Sequence, residues 1–342
     1  MSELRRDPIT NRWVVIAAER GKRPQVLEED PPAKGDAVCP FCPGSEDETT
    51  PEVFAIGPPE REPNGPDWGV RVIPNRYPIF QEHSEGLRRG YGLFDQINGV
   101  GIHEVVVESP HHEASLADLP VAEIQHILQA YRHRLLVHRN NPNLRYVLIF
   151  RNYKKQAGAS MVHPHSQIIG TPITPLLVKA KLDNCHKYYL DKERCLLCDL
   201  IWQEINWPQR IVSASEQYII LCPFASCFPF EVWLCPRVHC HDFALLSDQN
   251  LLEVAIALKE MLMRIKLTLN DPPYNFILNT APVVRPRPGR PEYWQTLQYD
   301  FHWYIELIPR LTTIAGFEWG SNFYVNPVSP EQAAERLKQV SL

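Results

Sequence analysis

One order of features occurs twice along this chain of 342 residues, and the repeat constrains the fold more than any single motif does. In the first half a CxxC pair, Cys39 and Cys42, precedes apolar strands near residues 71–74 and 101–108 and a Ser-Pro-His-His turn at 109–112. A helix follows, with Ile124, Ile127, Leu128, Tyr131 and Leu135 at helical spacing. After Asn-Asn-Pro-Asn at 140–143 come a strand over 145–151 and a histidine-bearing strand starting near His163. The second half repeats the order with different residues: Cys195 and Cys198, strands over 217–222 and 230–235, then Pro-Arg-Val-His-Cys-His at 236–241. Its helix carries Leu251, Ala255, Leu258, Leu262 and Ile265, ends at Asn270-Asp-Pro-Pro, and is followed by strands over 274–279 and 301–308.

Paired strands joined by short turns, with one long helix per half, predict an α+β protein of two tandem units, each an antiparallel sheet covered by a helix. The length agrees, since a typical domain has about 150 residues. The boundary is placed near residues 171–194, which gives an N-terminal domain over 1–175 and a C-terminal domain over 176–342. The apolar run at 218–236 contains Pro223, Pro229, Pro236 and Glu231, so it reads as two buried strands rather than a membrane span. No membrane partner is expected.

Lys and Arg number 35 against 40 Asp and Glu, a net charge of −5, which gives no electrostatic footprint for nucleic acid. The early apolar stretch at 13–18 is too short for a secretory signal, and nine cysteines are too few and of the wrong parity for a disulfide framework. A reducing, cytoplasmic setting is expected. No GxGxxG or GxxxxGK[ST] loop is present, so any nucleotide chemistry uses another device. The Pro/Gly-rich stretches 24–38, 57–69 and 285–290 read as solvated loops, the last with phosphate contact as a secondary reading.

Cys39-Pro-Phe-Cys42 follows a loop and leads into Pro43-Gly44, which suits a zinc knuckle better than a redox pair. Each half supplies histidines at the same two places, after the second strand and in the last strand. Two Cys2His2 zinc sites are therefore expected, Cys39, Cys42, His112 and His163 in the first half and Cys195, Cys198, His239 and His302 in the second. His103, His111 and His241 are rivals, and spacing does not separate His239 from His241. The sharpest motif is His163-Pro-His165-Ser-Gln167, where strand alternation sets three polar side chains on one face. With His163 held by metal, His165 can keep one tautomer and a free ring nitrogen, as a nucleophile toward phosphorus requires. Gln167 can donate its amide to a phosphoryl oxygen.

With these residues in place, the chain resembles the galactose-1-phosphate uridylyltransferase family of the histidine-triad superfamily. The resemblance runs through residues 5–14, 19–24, Cys39-Pro-Phe-Cys42, Pro74-Asn75, Ser109-Pro-His-His112, Asn152 and His163-Pro-His-Ser-Gln167. It implies two histidine-triad-like domains and a double displacement, in which a nucleoside monophosphate passes from a nucleotide sugar to His165 and then to a hexose 1-phosphate. It also implies nucleotide or phosphate contacts at Arg20, Arg23, Asn75, Asn152 and Ser160. The family's usual His-x-His near the C-terminus is replaced here by His302-Trp-Tyr-Ile-Glu306, and Cys195, Cys198, His239, His302 and the tail from Gly316-Phe-Glu318 through Asn326-Pro resemble a branch with two zinc sites that includes plant proteins similar to ADP-glucose phosphorylases.

The first functional reading is a UDP-glucose:hexose-1-phosphate uridylyltransferase of galactose metabolism. The nearest rival is an ADP-glucose phosphorylase using inorganic phosphate. From other classes come a zinc-stabilised nucleotide-binding protein without transferase activity and a hydrolase releasing the nucleotide to water. The apolar strand 230–235 reads either as the interface of a homodimer or, equally, as core.

Overall fold

The computed structural model describes residues 2–22, 39–82, 86–285, 289 and 294–342. The chain opens with β1 (Glu3–Arg6), β2 (Trp13–Ile16), β3 (Phe54–Ile56), β4 (Val70–Pro74), the hairpin β5 (Arg88–Tyr91) and β6 (Phe94–Ile97), and β7 (Ile102–Val107). Helix α1 (Val121–His138), β8 (Tyr146–Tyr153) and β9 (His165–Thr171) follow. Next come α2 (Leu176–Lys192), α3 (Leu196–Asn206), β10 (Ile211–Ala214), β11 (Tyr218–Leu221), β12 (Val232–Pro236), α4 (Asp248–Leu269) and β13 (Tyr274–Asn279). The chain ends with α5 (Leu297–Asp300), β14 (Tyr304–Pro309), α6 (Gly316–Ser321), β15 (Tyr324–Asn326) and α7 (Pro330–Lys338).

Ten of these strands form one sheet in the order β10-β11-β12-β14-β13-β8-β9-β7-β4-β3. Every neighbouring pair is antiparallel. Read outward from its centre, the sheet has β8, β9, β7, β4, β3 on one side and β13, β14, β12, β11, β10 on the other, the same sequence of repeat positions in both directions. The two sheets expected from the repeat are thus fused. Their seam is β8 against β13, with Phe276 opposite Arg151 and Ile277 opposite Phe150. Fusion hides an edge strand from each half, which removes two open rows of N–H and C=O groups.

Alternation along the strands assigns the faces. Val106, Ile168, Leu234 and Ile305 point to one face, where α1 and α4 lie side by side and Ile124, Leu128, Leu258 and Leu262 close a single core. Helix α4 starts where Ser247 and Asn250 cap one another's backbone N–H groups, and it ends at Asn270 in the left-handed conformation (φ 56°). The opposite face carries Val105 and Val107 in the first half and Trp233 and Tyr304 in the second. Both CxxC segments sit on this side, Phe41 packing with the first cluster and Leu196 and Leu197 with the second.

The segment read as the domain boundary is occupied by α2. Val178, Leu182, Cys185 and Tyr188 recur at helical spacing and pack into the second-half cluster. A small sheet of β1, β2 and β15 ties the start of the chain to its end, β15 running parallel to β2. No helix among the described residues is long and apolar enough to cross a membrane.

Candidate active site and metal centres

Two groups of four side chains gather their donor atoms within 4.8 Å of one another: Cys39, Cys42, His112 and His163, and Cys195, Cys198, His239 and His302. His103, His111 and His241 lie outside both groups, so the structure separates the two histidines that spacing left open, His239 and His241, in favour of His239. The local folding of the two cysteine pairs differs. In the first, the Cys42 N–H donates to the Cys39 carbonyl at 3.1 Å, and Gly44 continues the turn at φ +89°, a conformation in which a Cβ is strained. In the second, Cys195 is the N-cap of α3 and Cys198 lies in its first turn. That pair opens a helix, yet a helix and a turn precede it rather than a strand.

A tetrahedral zinc with bonds of about 2.0–2.3 Å sets ligand-to-ligand edges of roughly 3.3–3.8 Å. Cys42 Sγ lies 3.3 Å from His112 Nδ1 and 3.6 Å from His163 Nδ1, and Cys39 Sγ lies 3.7 Å from His163 Nδ1. In the second group Cys198 Sγ lies 3.3 Å from His239 Nδ1 and 3.4 Å from His302 Nδ1. The opposite ring nitrogen donates to a backbone carbonyl in three of the four imidazoles: His163 to Ser109 (2.8 Å), His239 to Gln298 (2.9 Å) and His302 to Pro236 (3.0 Å). Those bonds put the proton on Nε2 and leave Nδ1 as a lone-pair donor, the arrangement that metal-binding histidines use. Burial, with His112 and His165 adding to it, pushes His163 down to about 4, so its ring is neutral. Residues and spacing fit a bound zinc in both groups.

His163 precedes β9, and His165 is the strand's first residue. Its Nδ1–H donates to the His163 carbonyl at 2.8 Å, which fixes the tautomer and leaves Nε2 with an unprotonated lone pair. Burial lowers the His165 pKa, while the His163 carbonyl and Glu108 oppose the shift. Phe41, between the two first-half cysteines, packs against the His165 ring with centroids 5.7 Å apart. The motif's position between a metal group and a strand therefore gives a neutral imidazole with one nitrogen free, on a rigid support.

His165 and Gln167 open onto a cleft of about 660 Å³ that is also lined by Thr50, Asn75, Tyr77 and Ser160. Of the residues matched to nucleotide contacts, Asn75 and Ser160 reach this cleft. Asn152 does not line it; its Oδ1 accepts from Asn275 Nδ2 at 2.8 Å across the seam. Arg20 is exposed on the turn 18–22, and Arg23 lies outside the described residues. Two features escaped the sequence reading. One is Phe41, visible only as the x in a CxxC. The other is a buried network beneath β9, in which Tyr131 donates to Ser166 Oγ at 2.7 Å and Arg151 meets Glu108 at 3.2 Å.

The second half presents a different surface at the equivalent place. Tyr304 and Glu306 stand where His165 and Gln167 stand in the first half, with the Trp233 ring packed at a tilt against Tyr304, centroids 4.8 Å apart. The Lys181 ammonium fills the space, donating to Asn279 Oδ1 at 2.8 Å, and about 70 Å³ is left. Among the described residues only the first half combines a free imidazole nitrogen with an open cleft.

Comparison with known proteins accords with this geometry. The profile of the galactose-1-phosphate uridyl transferase N-terminal domain matches residues 1–175, and that of the C-terminal domain matches residues 181–342. The chain is 36% identical over 345 residues to an ADP-glucose phosphorylase of Arabidopsis thaliana, covering 99% of this chain and 93% of the relative. It is 28% identical over 350 residues to a galactose-1-phosphate uridylyltransferase of Thermotoga maritima, covering 100% and 99%. The crystal structure of an Arabidopsis thaliana ADP-glucose phosphorylase with bound ADP-glucose superposes with a TM-score of 0.83 at 34% identity, over 100% of both chains. A uridylyltransferase structure gives 0.73 at 30% identity, covering 99% of this chain and 98% of that one. By sequence, fold and the arrangement of its histidines, this chain belongs to the galactose-1-phosphate uridyl transferase family of nucleotidyltransferases.

Proposed function

We propose that His165 is the nucleophile of a double displacement, with ADP-glucose as donor and inorganic phosphate as acceptor. The observation that carries the reading is the His165 ring itself, neutral, fixed through Nδ1 and set at the wall of an open cleft beside Gln167. In the first step the Nε2 lone pair attacks the phosphorus bearing the nucleoside. The bond from that phosphorus to the bridging oxygen breaks, and its electron pair leaves with glucose 1-phosphate. In the second step a phosphate oxygen attacks the same phosphorus, the P–N bond breaks, and ADP departs with the imidazole restored. Gln167 donates to a non-bridging oxygen as charge develops, and Asn75 and Ser160 hold the phosphates.

Cys39, Cys42, His112 and His163 would hold a zinc ion, and His163 so held would fix, through its carbonyl, the ring of His165. Cys195, Cys198, His239 and His302 would hold a second zinc ion, which would tie α3 to the turn after β12 and to the segment before β14. The donor assignment follows the higher identity to the ADP-glucose phosphorylase, 36% against 28%. The second reading, UDP-glucose with a hexose 1-phosphate acceptor, is supported by the Thermotoga maritima relative. A turnover assay decides between them. ADP formation from ADP-glucose and phosphate supports the first reading, and UDP-galactose from UDP-glucose and galactose 1-phosphate, with no ADP formed in the other arm, supports the second.

A further inference from the structure

We propose that His103 is a positioning residue for the transfer, acting by locking the amide of Gln167 with its N–H groups toward the cleft. The inference rests on the reading of Gln167 as the group that meets the phosphoryl oxygens.

Two hydrogen bonds fix the His103 ring. The backbone N–H of Ile79 donates to His103 Nδ1 at 3.2 Å, and a backbone N–H has no other role than donor. Nδ1 is therefore the acceptor nitrogen, and in a neutral ring the proton sits on Nε2. That Nε2 lies 2.8 Å from Gln167 Oε1, which accepts it. Asn75 Nδ2 lies 3.1 Å from the same ring nitrogen, but with the proton on Nε2 both are donors and the contact is not a hydrogen bond; Asn75 Oδ1 accepts from the Tyr77 N–H at 2.8 Å. The backbone of His103 also holds this loop, its carbonyl accepting from the Asn75 N–H at 2.8 Å. His103 lies on the cleft face of β7 by alternation with Val105 and Val107, and Val105 stands opposite Gln167 in the ladder.

An amide side chain has two orientations related by a half-turn, and they present opposite faces to a ligand. With Oε1 bound to His103, the two N–H groups of Gln167 are directed to the cleft and meet phosphoryl oxygens as donors. With the amide turned over, the carbonyl oxygen faces the anion, and the interaction changes from attraction to repulsion. A donor held in place before the reaction stabilises developing charge without reorganising, which is the condition under which such groups are most effective. His103 supplies that condition from behind and touches no reacting atom.

The test is a double-mutant cycle read as the rate of His165 nucleotidylation in a single turnover with ADP-glucose, with UDP-glucose as the parallel donor. His103→Phe should slow the step about tenfold to a hundredfold at saturating donor, with little change in the donor concentration giving half the maximal rate. Gln167→Ala should slow it by a similar or larger factor. If His103 acts through Gln167, His103→Phe on the Gln167→Ala background should cost almost nothing more. His103→Gln, which can still donate to Gln167 Oε1, should recover most of the lost rate, and so guards against a fold defect in the Phe variant. Penalties that multiply in the double variant, or a His103→Gln protein as slow as His103→Phe, would overturn the inference while leaving the histidine nucleophile intact. No adduct on His165 in the unsubstituted protein with either donor would overturn the transferase reading and this inference with it.

Discussion

His163 and His165 are two residues apart, yet their surroundings give them different tasks, and substitution should separate those tasks. Nδ1 of His163 points into the first group of sulfur and nitrogen donors, whereas Nδ1 of His165 is spent on a backbone carbonyl and its Nε2 remains. His165→Gly is expected to abolish nucleotide transfer with metal content and melting temperature little changed. His163→Asn should lower both metal content and melting temperature, because a lost ligand is a lost part of the folding free energy. Metal analysis and thermal melting of the two variants check the asymmetry; loss of metal from His165→Gly would contradict the division of roles. The cysteine and histidine groups were legible in the sequence because CxxC spacing and the repeat point to them directly. His239 against His241 was not, since both follow β12 within a turn and only the chain's path past Gln298 decides between them.

At the scale of elements, the seam between β8 and β13 carries buried charge whose pairing is not legible in the sequence. Glu108 at the end of β7, Arg151 on β8 and Tyr274 on β13 form one chain of contacts, with Arg151 Nη1 donating to the Tyr274 hydroxyl at 3.0 Å. Which strands neighbour one another is a long-range property; Arg151 and Phe276 become partners only when the two halves fuse. Glu108→Gln leaves the Arg151 guanidinium buried without its carboxylate and should destabilise the protein by about 3–5 kcal/mol, with Glu108→Gln/Arg151→Met recovering much of that loss. Denaturant unfolding of the single and double variants measures it. A single substitution costing less than about 1 kcal/mol would show that the pair is solvated in the native state.

A second buried carboxylate gives a pH-dependent expectation. Burial pushes Glu52 up, but the two bonds from Arg61, the Asn64 N–H and Arg71 outweigh it and hold the carboxyl down to about 2. The unfolded chain takes up that proton near pH 4.3. Below that pH the unfolded state binds more protons than the native one, so the contribution of Glu52 is present above about pH 4.3 and is lost as pH falls toward 2. Unfolding measured between pH 5 and pH 3 should therefore show a steeper loss of stability in the parent than in Glu52→Gln. Equal slopes would contradict the clamp. This contact was beyond the sequence reading, which treated the segment 57–69 as a solvated loop, whereas Arg61 turns back to bind Glu52.

For the whole molecule, the repeat is the reason that a single chain has two Cys2His2 groups, of which, among the described residues, the first alone adjoins an open cleft with a free imidazole nitrogen. Tandem copies fused through β8 and β13 keep the Cys2His2 arrangement on both sides, while Tyr304, Glu306 and Lys181 close the second cleft. Two zinc ions per chain are expected, one lost on Cys39→Ser and the other on Cys195→Ser, and chelation should lower the melting temperature. A single ion unaffected by Cys195→Ser would contradict the second site. The order of elements was legible because hydrophobic periodicity and turn residues mark each strand and helix locally. The fusion of two sheets into one and the place of His103 were not, since both depend on strand register.

The double displacement proposed above requires that a nucleotide become covalently attached to His165. The most direct measurement is the intact mass of the protein after incubation with ADP-glucose, and separately with UDP-glucose, without acceptor, followed by peptide mapping. The account predicts a mass increase of one nucleoside monophosphate on the peptide containing His165. The P–N bond should survive alkali, disappear in acid, and be lost from the protein when phosphate or a hexose 1-phosphate is added. An unmodified protein that still turns over, or a nucleotide mapped to a serine, would contradict the account.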